Sequence, residues 1–280
     1  MHILFTHFRR FRSGFIQVCF CLGILLLGGC DMIEYHPYDL DIDGETDVNR
    51  RNIERIETAT YRKEEIRFAV ISDTQRWYDE TAAAVRSINA QGNVDFVIHC
   101  GDMTDFGLTR EFEWMQRELD RLNMPCVCLI GNHDCLGTGS DMYHTIYGEP
   151  NFSFTAGDTH FVCLNTNAFE YDYSIAIPDF TYIKEDQQGL PTEVRRSVAV
   201  MHAAPLTDQF PNNVAEIFNE KLRLYPDIEF CLCGHNHSFD AYEPLNDGLI
   251  YYRCAAAEKR EYLLFTLKAN GNYTYEVVHY

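Results

Sequence analysis

The sequence of 280 residues is poor in basic side chains. Its 23 Lys and Arg stand against 42 Asp and Glu, which gives a formal net charge of −19. Binding to a nucleic-acid backbone requires clustered positive charge, so this balance argues against a nucleic-acid polymer as a partner. A phosphorylated ligand would need a bound metal or a locally positive trap.

The sequence also lacks any C-x-x-C pair, although it contains 11 cysteines. Neither a zinc ribbon nor a thioredoxin-like redox site is therefore supported. Six cysteines lie inside apolar runs, namely Cys100, Cys126, Cys128, Cys163, Cys231 and Cys233. Cysteine in such runs usually serves as a small buried hydrophobe, so we expect mostly free core thiols. Disulfides are the alternative, because an exported domain with an even number of cysteines can form them.

Long hydrophobic runs are absent apart from one near the N-terminus. An apolar segment over residues 15–27 follows three arginines and ends in Leu27-Gly28-Gly29-Cys30. It is short for a membrane-spanning helix and typical of a secretory signal, and its end looks like a bacterial lipobox. We expect residues 1–29 to be a signal peptide. The protein would then be exported to the bacterial cell envelope, on the periplasmic or outer-surface face, and held at the membrane by a lipid on Cys30. An uncleaved N-terminal anchor is the alternative.

The rest of the chain falls into two parts. Residues 30–64 are acidic and lack a clear period, which predicts an acidic tether. From residue 65 to residue 280, apolar runs alternate with helical patterns at 79–90, 109–122 and 214–224, and Asn270-Gly271 predicts a hairpin turn. Runs that are apolar on both faces and separated by helices predict an α/β domain whose sheet is covered on both sides.

Five of the apolar runs end in polar clusters. In chain order these clusters contribute Asp73 and Gln75, then Asp102 and Asp105, then Asn132, His133 and Asp134, then His202, and finally His235 and His237. Because ligands bind beyond the carboxyl ends of the strands in open α/β sheets, we expect these side chains to share one site.

The donor types in these clusters indicate metal chemistry. Asp, Asn and His together favour Mn²⁺, Fe²⁺ or Zn²⁺ over Ca²⁺. The donors are too many for one ion. Two ions about 3.5–4 Å apart and bridged by a carboxylate would use them all, and such pairs serve phosphoryl transfer. Asp102, in the middle of the series, is the natural bridge.

The order of the motifs resembles the calcineurin-like metallophosphoesterases over residues 66–240. The motifs are Asp-x-Gln, Gly-Asp-x-x-Asp, Gly-Asn-His-Asp, a lone His after a strand and Gly-His-x-His. The resemblance implies a two-layered β-sandwich flanked by helices (α/β/β/α), with the metal site at the C-terminal ends of the strands. It implies a first ion held by Asp73, Gln75, Asp102 and His237, and a second held by Asp102, Asn132, His202 and His235. His133 and Asp134 would be the catalytic residues. Of the two, His133 would face the phosphate and stabilise the transition state or protonate the leaving oxygen.

By this resemblance the function is metal-dependent hydrolysis of a small phosphomonoester or phosphodiester by a hydroxide activated between two Mn, Fe or Zn ions. Two positions depart from the family. Gln75 stands where the family usually has His and offers a weaker, harder oxygen ligand. Asp105 stands where purple acid phosphatases have Tyr, and we expect it to accept a hydrogen bond from a metal-bound water or a ligand His. The alternative function is a catalytically weak or silent ligand-binding lipoprotein on the same fold, and a structural envelope protein is disfavoured.

Overall fold

The computed structural model describes residues 39–42, 44–172 and 174–280. The expected signal peptide, Cys30 and the first part of the expected tether lie outside these ranges. Residues 40–280 form one compact unit. Within the described ranges, the helices are too short or too polar to cross a membrane.

The first sheet has five strands in the order β11-β10-β1-β2-β3. The first three strands in the chain are parallel, and the last two join them as an antiparallel hairpin. The strands are β1 (Ile66–Ile71), β2 (Phe96–His99), β3 (Cys126–Cys128), β10 (Glu261–Leu267) and β11 (Tyr273–His279). The predicted turn at Asn270-Gly271 connects β10 to β11, and Gly271 has the positive φ of 81° that such a turn requires.

The second sheet has six strands in the order β4-β5-β6-β7-β9-β8. β5, β6, β7 and β9 run parallel, with an antiparallel strand at each edge. The strands are β4 (Phe152–Ala156), β5 (Thr159–Leu164), β6 (Arg196–Met201), β7 (Ile228–Cys233), β8 (Asp240–Tyr242) and β9 (Tyr251–Arg253). Every residue of β5 and β6 is buried, as expected for strands covered on both faces.

Aromatic side chains fill the space between the two sheets. The ring of Phe68 stacks on Phe96 with centroids 5.1 Å apart and meets the edge of Phe161 at 5.3 Å. The helices around this sandwich are α1 (Val48–Thr60), α2 (Tyr78–Gln91), α3 (Thr109–Leu119), α4 (Gly139–Tyr147), α5 (Phe180–Gly189) and α6 (Ala215–Leu222). Residues of α2, α3 and α4 pack on the first sheet, and residues of α5 and α6 pack on the second. The expected α/β/β/α sandwich is confirmed.

Helix α1 lies inside the segment expected to be an acidic tether, and here the structure differs from the expectation. Ile56 is fully buried in the core between the sheets. The side-chain amides of Asn49 and Asn52 donate to the carbonyl oxygens of Cys128 and Cys126, at 2.8 and 2.7 Å. α1 thus satisfies the free carbonyl groups of the edge strand β3. The sequence does not predict the packing of α1 on β3, because polar amide side chains, rather than a periodic apolar face, make the contacts with β3.

The cysteines behave as expected. All eight from Cys100 to Cys254 are free and buried. Aromatic residues near the Gly-Asn-His-Asp motif, which could have lined a pocket, mostly pack in the core: Tyr143 and Tyr147 are buried on α4 and Phe154 is buried on β4. The segment rich in these aromatics therefore contributes mainly to the core.

Candidate metal centre

The polar clusters meet at one edge of the sandwich, beyond the ends of β1, β2, β3, β6 and β7. Ligand atoms of Asp73, Asp102 and His202 lie within 4.8 Å of one another, and all three side chains are buried. Asp73 and Asp102 come from the first sheet and His202 comes from the second. The two sheets therefore build the centre jointly.

Two glycines allow the loops of this edge to approach closely. A Cβ atom on Gly131 would lie 2.1 Å from Oδ1 of Asp102, and one on Gly234 would lie 2.0 Å from the hydroxyl of Ser72. Four candidate ligands have left-handed backbone conformations, with φ of 51° at Asp73, 60° at Asp102, 72° at His235 and 59° at His237. Such strained conformations cluster at functional sites.

The second group of predicted ligands is assembled around Asn132. Its amide oxygen lies 3.0 Å from Nε2 of His202 and 3.0 Å from Nδ1 of His235. Oδ2 of Asp102 lies 3.3 Å from the same Nε2 of His202. All four residues predicted for the second ion are therefore linked by a chain of contacts from Asp102 through His202 and Asn132 to His235.

The opposite nitrogen of each imidazole determines its tautomer. Nδ1 of His202 lies 2.8 Å from the carbonyl oxygen of Cys100, and Nε2 of His235 lies 2.6 Å from a carboxylate oxygen of Asp208. Because both partners only accept hydrogen bonds, these nitrogens carry the hydrogens. Nε2 of His202 and Nδ1 of His235 are then the nitrogens that face the oxygen of Asn132. Two imidazole nitrogens and an amide oxygen that converge in this way are suitable ligands for a divalent metal ion.

The charge balance of the centre supports this conclusion. Burial alone would lower the pKa of His202, but the carboxylate of Asp102 outweighs it and raises that pKa to about 9. Burial likewise opposes ionisation of Asp102, yet His202 and His133 hold its pKa below the usual value. The carboxylates thus favour a positive charge here, which a proton or a metal ion can supply.

The first group of predicted ligands is also together. Oδ1 of Asp73 lies 3.3 Å from Nε2 of His237, and the amide nitrogen of Gln75 lies 3.4 Å from Oδ2 of Asp102. Gln75 is buried, and its amide oxygen receives no hydrogen bond from the described residues. Gln75 therefore faces the centre and has an oxygen available for a metal.

His133 lies beside the centre but outside the ligand cluster. Its Nδ1 donates to the carbonyl oxygen of Asp105 at 2.9 Å, and its backbone N–H donates to Oδ1 of Asp102 at 2.9 Å. The side chain is 33% exposed, which leaves Nε2 open to a ligand. Asp105 therefore orients His133, and its carboxylate pairs with Arg76. Within the described residues, the carboxylate of Asp105 thus pairs with Arg76 instead of accepting a hydrogen bond from a ligand His, and its acceptance of one from a metal-bound water stays a prediction.

Asp134 has a different role from the one expected. It is fully buried, and its carboxylate accepts five hydrogen bonds: from the backbone N–H groups of Gly131, Asp102, Met103 and Thr104, and from the Thr104 hydroxyl. These contacts occupy both carboxylate oxygens and tie the loop after β2 to the loop after β3. Asp134 is therefore a positioning residue rather than a catalytic one.

Sequence reasoning missed Asp208. It lies in the loop between β6 and α6, six positions after His202, and its side chain is 85% exposed. No motif spacing and no hydrophobic periodicity in the sequence identifies an exposed loop residue that forms a hydrogen bond with a metal-ligand histidine. Only the folded loop reveals its contact with His235.

The comparisons with known proteins agree with this geometry. The model of the calcineurin-like phosphoesterase family matches residues 66–239, which is more than half of the chain. The chain belongs to this family. A 3′,5′-cyclic-nucleotide phosphodiesterase from Nostoc sp. is 24% identical over 152 residues, which cover 51% of this calcineurin-like phosphoesterase and 56% of the relative. The chain thus spans little more than half of that relative's length.

Solved structures share the fold of this calcineurin-like phosphoesterase at low identity. A dimetal phosphatase from Danio rerio has a TM-score of 0.54 and 13% identity, with 77% of this chain and 99% of that chain covered. GAP50, described as the anchor in the inner membrane complex of Plasmodium, has a TM-score of 0.54 and 12% identity, with coverage of 78% and 85%. The fold therefore occurs both in a phosphatase and in a protein described as an anchor.

The donor set of this calcineurin-like phosphoesterase fits divalent transition ions. It offers carboxylates (Asp73, Asp102), amide oxygens (Gln75, Asn132) and imidazoles (His202, His235, His237). Mixed oxygen and imidazole donors suit Mn²⁺, Fe²⁺ and Zn²⁺. The buried Asp73, Asp102 and His202 form the centre of this set.

Proposed function

We propose that the protein hydrolyses phosphate esters, monoesters or diesters, with two divalent metal ions. The first ion would be held by Asp73, Gln75, Asp102 and His237, and the second by Asp102, Asn132, His202 and His235. One observation carries the proposal: the oxygen of Asn132 lies 3.0 Å from Nε2 of His202 and 3.0 Å from Nδ1 of His235, beside the buried carboxylate of Asp102. A metal ion would be bound by these converging oxygen and nitrogen atoms together.

The residues around the centre suit hydrolysis. When bound, the ions would lower the pKa of a water molecule and polarise the phosphoryl group. Oδ1 of Asp102 accepts the His133 N–H, and Oδ2 lies between the two groups of predicted ligands, 3.3 Å from Nε2 of His202 and 3.4 Å from the amide nitrogen of Gln75, so Asp102 would serve both ions. His133, fixed through Nδ1, presents Nε2 to the substrate, where the protonated ring can donate to the leaving oxygen. Asp134 keeps both loops in place.

The natural substrate class follows from similarity as well as chemistry. The Nostoc relative is named as a cyclic-nucleotide phosphodiesterase. The net charge of −19 opposes large polyanions, which leaves small phosphorylated molecules. We therefore propose a small phosphate ester, with phosphodiesters as the first class to assay.

Metal removal and replacement tests the function. Chelation should abolish hydrolysis of bis(p-nitrophenyl) phosphate, and Mn²⁺, Fe²⁺ or Zn²⁺ should restore it. Asp102→Ala should lose both metal and activity, because Asp102 contributes to both ions. A wild-type protein that binds two ions and hydrolyses neither monoesters nor diesters would instead support the silent ligand-binding alternative.

We further propose that the protein is an exported bacterial lipoprotein, anchored to the cell envelope through Cys30. The basis is the basic, apolar and small-residue sequence that ends at Cys30. Cys30→Ser should abolish labelling by a radioactive fatty acid and leave an unprocessed precursor. Unchanged labelling and processing in this variant would refute the anchor.

A further inference from the structure

A cavity of about 530 Å³ opens beside the metal centre. Leu206, Asp208, Asn236, Tyr242 and Arg253 contribute to its lining. We infer that this cavity binds the organic group of the phosphate ester, and that this group has the size and chemistry of a nucleoside. The inference rests on the proposed function for the position of the phosphate.

The cavity is continuous with the ligand loop of the second sheet. Asp208, on its wall, lies 2.6 Å from Nε2 of His235. Asn236, also on its wall, stands between the ligands His235 and His237 in the chain. A group attached to a phosphate at the centre can therefore extend directly into this cavity.

One side of the cavity is preformed. The guanidinium of Arg253 donates from Nε to the carbonyl oxygen of Ser238 at 2.9 Å and from Nη2 to Asp240 at 3.1 Å. It also lies over the ring of Tyr242, 5.1 Å from the ring centroid. A guanidinium fixed in this way presents a hydrogen-bonding edge without losing side-chain freedom on binding.

The lining also contains an apolar residue, Leu206, in a strained conformation. Leu206 has φ of 69° and is 55% exposed. Asn212 holds this turn: its Oδ1 accepts from the Leu206 N–H at 2.8 Å and its amide donates to the Thr207 carbonyl at 2.8 Å. A branched side chain with positive φ is rare, and such strain is concentrated at ligand-binding sites. The loop thus holds an exposed leucine at the cavity wall.

The size and chemistry of the cavity indicate the ligand. Sites for small organic ligands usually have volumes of about 300–1,000 Å³ and combine apolar walls with a few polar groups. Here Leu206 and Tyr242 supply apolar surface, while Asp208 and Arg253 offer an acceptor and donors. A nucleoside, with a flat base and a hydrogen-bonding edge, matches both. A larger cavity of about 810 Å³ is lined by Tyr61 and Lys63, at the opposite end of the sheet from the metal centre. Because of this position, it is not adjacent to the proposed phosphate site.

Two esters with the same leaving group test the inference: p-nitrophenyl thymidine 5′-phosphate and methyl p-nitrophenyl phosphate. Wild-type protein reconstituted with Mn²⁺ should prefer the thymidine ester. Leu206→Ala should lower kcat/KM for that ester by about tenfold, mainly through KM, and leave the methyl ester unchanged. Leu206→Trp, which fills the cavity, should lower it further. Leu224→Ala is the matched control, because Leu224 is 64% exposed and is not among the residues that line the cavity.

A binding measurement separates this inference from the proposed function. In calorimetry on Mn²⁺-loaded protein, thymidine 5′-monophosphate should bind more tightly than methyl phosphate, and Leu206→Trp should remove the difference. If this holds while neither these two diesters nor p-nitrophenyl phosphate, a monoester, is hydrolysed, the proposed function fails and the cavity assignment stands. If both esters are hydrolysed equally well, or the Leu206 variants affect both ligands alike, the cavity assignment is overturned and the function stands.

Discussion

Oδ1 of Asp208 lies 2.6 Å from Nε2 of His235, although Asp208 is exposed and His235 is only 12% exposed. The carboxylate accepts the Nε2 hydrogen, and Nδ1 on the other side of the ring lies 3.0 Å from the oxygen of Asn132. An acidic partner also holds the orientation of the ring. A surface loop therefore controls one ligand of the proposed second ion.

Asp208→Ala should weaken binding of the second ion by about 10- to 100-fold, as is usual when the partner of a ligand His is removed. Asp208→Asn should bind nearly as well as wild type because its amide oxygen can still accept the hydrogen bond. Glu220→Ala, which removes one exposed charge from α6, controls for the change in net charge. Titration of metal-free protein with Zn²⁺ measures these affinities. Equal affinity in wild type and Asp208→Ala would exclude the role.

His133→Ala should lower turnover by about 100-fold or more while metal content stays unchanged, because His133 stands outside the ligand cluster. The effect should be largest for esters with poor leaving groups, which need a proton most. Steady-state kinetics with alkyl and p-nitrophenyl esters, together with metal analysis, provides the comparison. Full activity of the variant on an alkyl ester would contradict the assignment.

Gln75→His should raise retention of the first ion after dialysis, since imidazole binds Zn²⁺ or Fe²⁺ more strongly than an amide oxygen does. In the wild type, the first ion should be the one lost, and Mn²⁺ added to purified protein should increase activity. Metal content per chain after dialysis decides the matter. Two ions retained equally by both proteins would mean that Gln75 does not limit occupancy.

A buried cluster away from the metal centre gives a prediction about stability. Asp186 accepts hydrogen bonds from Ser153, His160 and Tyr225 at 2.6, 2.8 and 2.8 Å. Asp186→Ala should reduce the free energy of unfolding by about 3 kcal/mol, because it leaves buried polar groups without their partner. Urea denaturation measures this loss. The exposed Glu185→Ala on the same helix is the control and should change stability little.

The same cluster should respond to acid. Burial tends to raise the pKa of Asp186, but the hydrogen bonds from His160, Ser153 and Tyr225 lower it below its usual value. Because the folded pKa lies below the unfolded one, the contribution is complete above about pH 4 and is lost as pH falls through the folded pKa. The difference in stability between wild type and Asp186→Ala should therefore shrink below about pH 4. A difference that is constant down to pH 2 would contradict this linkage.

The sequence predicts two kinds of feature in this protein: strands and helices with a regular pattern of apolar residues, and the polar residues that directly follow a strand. Two of the apolar runs in the sequence, which extend over residues 67–72 and 95–100, fall on β1 and β2. The helix expected over 79–90 is observed as Tyr78–Gln91. Candidate ligands come directly after buried strands, so sheet geometry alone brings them together. The parallel edge of an α/β fold explains why spacing along the chain suffices for them.

The parts that the sequence does not predict depend on contacts between side chains and distant backbone groups. Asn49 donates a hydrogen bond to a carbonyl oxygen of an edge strand 79 positions away. Asp134 accepts hydrogen bonds from the backbone N–H groups of two loops. Asp208 reaches His235 from an irregular loop. Such hydrogen bonds have no period, and the same residue types at the surface commonly cap turns or face water. They become visible only in the folded chain.

The hydrogen bonds of Asp134 have a consequence for metal exchange. They join residues 102–104 to Gly131 entirely through protein atoms, so folding itself sets the spacing of the loops that carry Asp102 and Asn132. The ligand positions are then preorganised before an ion binds, and binding requires little rearrangement of the chain. Ions whose preferred coordination geometry differs from that of the preorganised site are disfavoured even when they are abundant. Replacing one transition ion by another should accordingly leave the two loops in place, with selectivity determined by coordination geometry as much as by affinity.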